Sequence, residues 1–292
     1  MRHTFYSLLL LAFIGTACQS KKDTKSDEIS ELDQQTAEIV EEVKARVPQF
    51  PTPDEFAARL QATGADYFDN IINDPEKANK YVNDVEEKVA VNLGIYFADL
   101  AYSSAYGQRE TSMKLVEAIV SLSNRLGIEK GVMMTVAERY DKYVEVPDSV
   151  KLYIQEMSEK ATDNLVTMGR HRITAIAYAG LYIEALHMGI GIIRNYPTDV
   201  PASMRQQLLV PVYHFILRQK QDITDVRDYL DDYIEGVQET PYYNDLIKLE
   251  ELYAEVDYDK IMDSQDLNLI ENDPNLVELA KTVDVMRSRL ID

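Results

Sequence analysis

The sequence predicts an all-α protein, and three observations predict it. Apolar residues recur at three- and four-residue spacing along nearly every segment after Asp54. No run alternates cleanly, as a strand with one exposed face would. Proline and glycine fall between the periodic segments, where helices start and stop. Apolar residues make up 46% of the 292 residues, enough for a buried core and too many for a disordered chain.

The chain opens MRHTFYSLLLLAFIGTAC. Arg2 and the free amino terminus supply positive charge, Leu8 to Ile14 is a short apolar run, and Gly15, Thr16 and Ala17 are small. This is the pattern of a secretory signal, too short to persist as a membrane-spanning helix. Cys18 follows directly and is the only cysteine, so no intramolecular disulfide can form.

The segment resembles the lipobox of bacterial lipoproteins. Thr16, Ala17 and Cys18 fit it, whereas Gly15 stands where an aliphatic residue is usual. The resemblance implies that residues 1–17 are a signal peptide and that Cys18 is lipidated, palmitate-type chains tying the mature protein to a membrane. Several acyl chains, each contributing about 0.8 kcal/mol per buried CH2, make such an anchor effectively permanent. Gln19 replaces the Asp that marks inner-membrane retention, so the resemblance implies the outer membrane of a Gram-negative envelope.

Residues 18–28 are polar without periodicity and read as a lipidated tether. Residues 29–53 read as a weakly amphipathic helix over 29–47, with Ile29, Leu32, Ala37, Ile39, Val40, Val43 and Val47 among acids, and a proline linker with Pro48, Pro51 and Pro53. The main body, residues 54–292, follows. Pro147-Asp148 and Asp273-Pro274 predict helix starts. Gly107, Gly127 and Asn195-Tyr196-Pro197 predict stops.

The body also resembles itself. GIYFADL at 94–100 matches GLYIEAL at 180–186 at an offset of 86. Residues 136–145 match 226–235 at an offset of 90, and Pro147, Leu152 and Glu156 match Pro241, Leu246 and Glu250 at 94. The offset changes only where loops are predicted, where insertions are tolerated. This predicts two related halves, 77–162 and 163–256, arranged as a helical bundle or a short α-solenoid. Paired helices of this length resemble tetratricopeptide-like hairpins; Leu93-Gly94 is similar to the Leu-Gly of that repeat, though the later small-residue positions do not follow. NLGIYFADLAYSSAYG and SLSNRLGI give the body a loose similarity to helical lipoproteins of Bacteroidota, which implies no particular activity.

Net charge is −20, which repels nucleic acid and anionic headgroups and excludes a nucleic-acid function. The most apolar stretch, 173–193, is long enough to cross a bilayer, but its counterpart at 87–107 carries Glu87, Lys88, Asn92 and Asp99. Two related segments should share one environment, so the expectation is a buried helix of a soluble bundle.

Glu184 and His187 are spaced i, i+3 on one helix face, the Glu-x-x-His spacing of di-iron bundles. The matching positions in the first half are Ala98 and Ala101, so no metal and no cofactor are expected. The simplest reading is that Glu184 and His187 satisfy each other or pair with Arg170 or Arg172. Asp99 lies in an equally apolar stretch and needs a partner if buried. Asp99 and Glu184 are one position apart in the alignment, so packed helices would bring them together. With Tyr96, Tyr182 and His187 they form the candidate ligand site. There is no Gly-rich phosphate loop, no Gly-x-Ser-x-Gly elbow and no partner for a histidine triad. The sequence therefore favours a non-enzymatic, lipid-anchored module that binds an envelope protein or peptide. The alternative is a ligand- or metal-binding protein or an enzyme using Asp99, Glu184 and His187.

Overall fold

The computed structural model describes residues 52–128, 140, 147–233 and 241–291. The signal segment, Cys18, the tether and the helix expected within 29–53 lie outside the described residues, as do most of the matched stretches 136–145 and 234–235. The described body is helical and contains no strand. In chain order it comprises α1 (Pro53–Gln61), two 3-10 turns (Asp69–Ile71 and Pro75–Lys77), α2 (Ala78–Tyr81), α3 (Glu86–Ala105), α4 (Arg109–Arg125), α5 (Pro147–Thr167), α6 (His171–Asn195), α7 (Ala202–Arg218), α8 (Lys220–Tyr233), α9 (Pro241–Glu255), α10 (Tyr258–Asp263), α11 (Leu267–Glu271) and α12 (Pro274–Ile291).

The helix boundaries follow local chemistry. Pro147 opens α5, and Asp273 accepts from the backbone N–H groups of Asn275 and Leu276 at the start of α12. Gly107 and Gly127 sit at φ +69° and +76°, a left-handed conformation costly for other residues. Each lets two backbone bonds fold over the preceding helix end: Gln108 N–H to Ser103 O and Gly107 N–H to Ser104 O after α3, and the equivalent pair after α4. The same pair of bonds closes α5 at Gly169, so the junction expected at 162/163 falls inside a helix and the chain turns only after Thr167.

α3 and α6 form the centre. Every residue of α3 from Val89 to Ser103 is buried, and α6 is buried over most of its length. Helices apolar all round belong inside other protein or lipid. Here 78% of the most apolar stretch of α6 is buried within the body itself. The outer helices each bury one stripe: Leu115, Ile119 and Leu122 of α4, Ile154, Met157, Ala161 and Leu165 of α5, and Leu276, Leu279, Val283, Met286 and Leu290 of α12. α1, α4 and α5 pack on α3, whereas α7, α8 and α12 pack on α6, with α9 against α8 and α12. The last helix thus returns to the middle of the molecule. A solenoid, in which each unit touches only its neighbours, would not do this; the architecture is a bundle.

α3 and α6 approach each other at two glycines. A Cβ on Gly94 would overlap the carbonyl of Ala177, and a Cβ on Gly180 would overlap the carbonyl of Val91. The contact is reciprocal under the 86-residue offset, since Ala177 lies 86 positions after Val91 and Gly180 lies 86 after Gly94.

Candidate functional site

One turn beyond this crossing, α3 and α6 each bury a carboxylate. Asp99 and Glu184 are both fully inaccessible to solvent. They are brought together by two residues that sequence reasoning did not single out. Asn73, in the connection before α2, donates from its backbone N–H (3.2 Å) and from Nδ2 (2.8 Å) to Asp99 Oδ2. The same Nδ2 donates to Glu184 Oε1 at 3.1 Å. Arg287 of α12 holds Glu184 in a two-pronged grip, Nε to Oε2 at 2.7 Å and Nη2 to Oε1 at 3.0 Å. Its Nη2 also donates to Asn73 Oδ1 at 3.0 Å. Four elements distant in sequence therefore meet in one hydrogen-bonded network.

The network has two carboxyls and one guanidinium. Burial and the neighbouring charge of Glu184 hold Asp99 well above the usual carboxylate range, against the opposing pull of the Asn73 bonds and Arg287. This favours the neutral acid at Asp99, leaving Glu184 and Arg287 as the charged pair. Asp99 Oδ1 is buried and makes no hydrogen bond to the described residues.

The pairing of Glu184 with Arg170 or Arg172 does not occur. Those arginines lie twelve or more residues before Glu184, about 18 Å or more along the helix axis. There they engage Glu86 and Glu87 at the start of α3. His187 does not meet Glu184 in a hydrogen bond either. Its Nδ1 lies 3.8 Å from Asp284, a carboxylate already held by Arg194 at 2.7 Å. Burial pushes the His187 imidazole below its ordinary value.

The tyrosines of the expected site diverge. Tyr96 donates its hydroxyl to the Asp74 carbonyl at 2.9 Å. Tyr182 packs edge-on against Phe56, centroids 5.2 Å apart, and burial raises its hydroxyl pKa. Tyr102 stacks with Tyr67 at 5.1 Å and accepts from the Phe68 backbone N–H. Among the described residues, no group of three or more His, Cys, Asp or Glu side chains converges in a way that would hold a metal ion. A mainly apolar cavity of about 250 Å³ lies beside the α3–α6 crossing, lined by Leu93, Gly94, Phe97, Ala177, Tyr178 and Leu181 among others, but by neither Asp99 nor Glu184.

The missed residues left only faint signals. Arg287 continues the buried stripe of α12, four residues after Val283 and three before Leu290, a position where a charge implies a buried partner. Asn73 sits in a turn-rich stretch whose polar residues read as ordinary loop chemistry. No protein-family model matches the chain, and neither a curated protein nor a solved structure matches it.

Proposed function

We propose that this chain is a lipid-anchored envelope protein, held through Cys18 on the outer membrane, and that its helical body is a non-enzymatic binding or scaffold module for an envelope protein or peptide. The observation that carries the anchor is the lone cysteine placed directly after an apolar run and three small residues. The body supports the same reading. Among the described residues the one helix long and apolar enough to span a membrane, α6, is mostly buried in the core, which is compatible with attachment through an acyl chain. The Asp99–Asn73–Glu184–Arg287 network ties helices together and is enclosed, as expected of a structural element rather than a reaction centre.

A polar ligand site or enzyme around Asp99, Glu184 and His187 draws support from the meeting of the first two. Both carboxylates are closed to solvent, so a ligand would reach them only after the segments that cover them, among them those carrying Asn73 and Arg287, moved away.

The test is fractionation. Cys18→Ser moves the protein from the membrane pellet to the soluble fraction, and retention in the pellet overturns the anchor. Pulldown of the anchored form from detergent-solubilised envelope should recover a reproducible partner, and recovery of none removes the binding module.

A further inference from the structure

The end of α1 and the end of α7 enclose a second cavity, about 550 Å³, which is predominantly polar. Its walls include Arg59, Thr63, His214, Phe215, Arg218 and Gln219. Neither Arg59 nor Arg218 makes an ion pair or a hydrogen bond to the described residues. Every other arginine among the described residues is engaged: Arg170 with Glu86, Arg205 with Glu271, Arg227 with Glu250 and Arg287 with Glu184, for example, and Arg125 with the backbone carbonyls of Val82 and Asp84. With 50 acidic against 30 basic residues, a guanidinium in this chain has carboxylates in excess to choose from. Two arginines with neither an ion pair nor a hydrogen bond, lining one cavity, are therefore the exception among the described residues.

Both stand in the last turns of helices, where carbonyl dipoles favour a cation. That accounts for positive charge at this place, but not for its lack of a counter-ion. The field of Arg59 reaches Asp222 at the start of α8, but the two make no bond, and burial pushes the Asp222 carboxyl up to about 6. Burial and the charge of Arg218 lower the pKa of His214, so its imidazole stays neutral at neutral pH, and His214 Nε2 is buried without a hydrogen bond. The cavity thus presents two open guanidinium forks, their positive charge offset in part by the Asp222 carboxylate near Arg59 at neutral pH.

A carboxylate has two oxygens and is satisfied by one such fork. A phosphate group, with up to two negative charges and more free oxygens, matches two. We propose that Arg59 and Arg218 clamp a phosphate group in this cavity, either free phosphate or the headgroup of a phospholipid.

The test is isothermal titration of the chain from residue 18, carrying Cys18→Ser so that no acyl chain interferes. Inorganic phosphate replaces chloride at constant ionic strength, and monomeric dihexanoyl phosphatidic acid is titrated in parallel. Saturable binding of phosphate is expected. Arg59→Gln and Arg218→Gln should each weaken it about tenfold, the loss of one charge-assisted fork, and the double variant should abolish it. Both side chains are exposed, so circular dichroism of the variants should be unchanged. Arg59→Lys, which keeps the charge and loses the fork, should bind between wild type and Arg59→Gln. Lys114→Gln, at an exposed ion pair with Glu110, should leave binding intact. Phosphatidate binding about tenfold tighter than phosphate identifies a lipid headgroup, and equal affinities identify a soluble phosphate; either upholds the clamp. Absence of saturable binding to either ligand, or equal binding by the double variant, overturns it.

Discussion

Asp99 and Glu184 share a single arginine, and this sets how the centre of the molecule responds to pH. A buried carboxyl without a cation of its own keeps its proton, because a second negative charge beside Glu184 would be costly in a site closed to water. In the unfolded chain Asp99 is an ordinary carboxyl, ionised above about pH 4. The folded state therefore holds a proton that the unfolded state releases, and the contribution of Asp99 to stability falls as pH rises from there towards its native pKa. Asp99→Asn removes the titration and retains a carbonyl that can accept both Asn73 bonds. Between about pH 5 and pH 8 the variant should gain stability relative to wild type, by at most about 4 kcal/mol at about 1.4 kcal/mol per pH unit, read from urea denaturation at the two pH values. An identical difference at both would show that Asp99 is ionised throughout. Sequence made the two acids legible, since a carboxylate in an otherwise apolar helix has to be answered by something. It did not disclose what answers them. Asn73 is 26 residues from Asp99 and Arg287 is 103 from Glu184, and nothing local to either acid names a partner at that distance.

Among the elements, the α3–α6 pair carries the fold, and the two glycines decide how closely its helices pack. Intrinsic propensity argues against glycine inside a helix by roughly 1 kcal/mol, so its presence at Gly94 and Gly180 calls for a tertiary reason. The reason is the backbone-to-backbone approach at Ala177 and Val91, which no side chain could share. Gly94→Ala or Gly180→Ala must push the helices apart, because the obstructing atoms are main-chain carbonyls. Each should cost roughly 3 kcal/mol or more, at the upper end of overpacking effects. Gly189→Ala meets side-chain atoms rather than backbone, Ile216 Cγ1 at 2.9 Å and Phe215 Cδ1 at 3.4 Å, and should cost less. Gly107→Ala has open space around it and suffers only from its positive φ, a cost of about 1 kcal/mol. Thermal melts of the four variants give the ranking; equal losses at Gly94 and Gly107 would show that the close crossing does not limit stability. At this scale the sequence was most informative. Helix period, the prolines at 147 and 274 and the glycines at 107 and 127 placed element ends where they occur, because those signals act over a few residues. The 86-residue offset also paired the two glycines that stand at the crossing. It could not show that the helices touch there, since self-similarity relates positions without stating whether they lie in contact.

The molecule as a whole is closed by its last helix. α12 packs against α3, α6 and α9, so residues near 290 are bound to residues near 90. Its terminal carbonyls, which an isolated helix would leave to water, are claimed by that early segment. Tyr81 donates to Ile291 O, Lys88 to Arg289 O at 3.0 Å and Asn92 to Leu290 O at 3.1 Å. The same last turns supply Arg287 to the central network and Arg289 to the largely buried Asp245. Ending the chain after Asp284 would remove all of these at once. Loss of the nearly fully buried Met286 and Leu290 forfeits about 1.5–3 kcal/mol each. Leaving Glu184 buried without its guanidinium costs about 3–5 kcal/mol more. Those losses together match the whole stability of an ordinary domain, about 5–15 kcal/mol. The truncated chain should therefore lose cooperative unfolding altogether, even though the deleted residues are few. Arg287→Met, which breaks the network and leaves the apolar stripe in place, should fall between the two, destabilised by about 3–5 kcal/mol but still unfolding in one transition. Urea denaturation followed by far-UV circular dichroism and by tyrosine near-UV signals, which the 19 tyrosines supply in a chain without tryptophan, reads both. A truncated protein that unfolds in a single transition within about 2 kcal/mol of the full chain would show that α12 is an appendage, and that α3 and α6 hold the bundle without it.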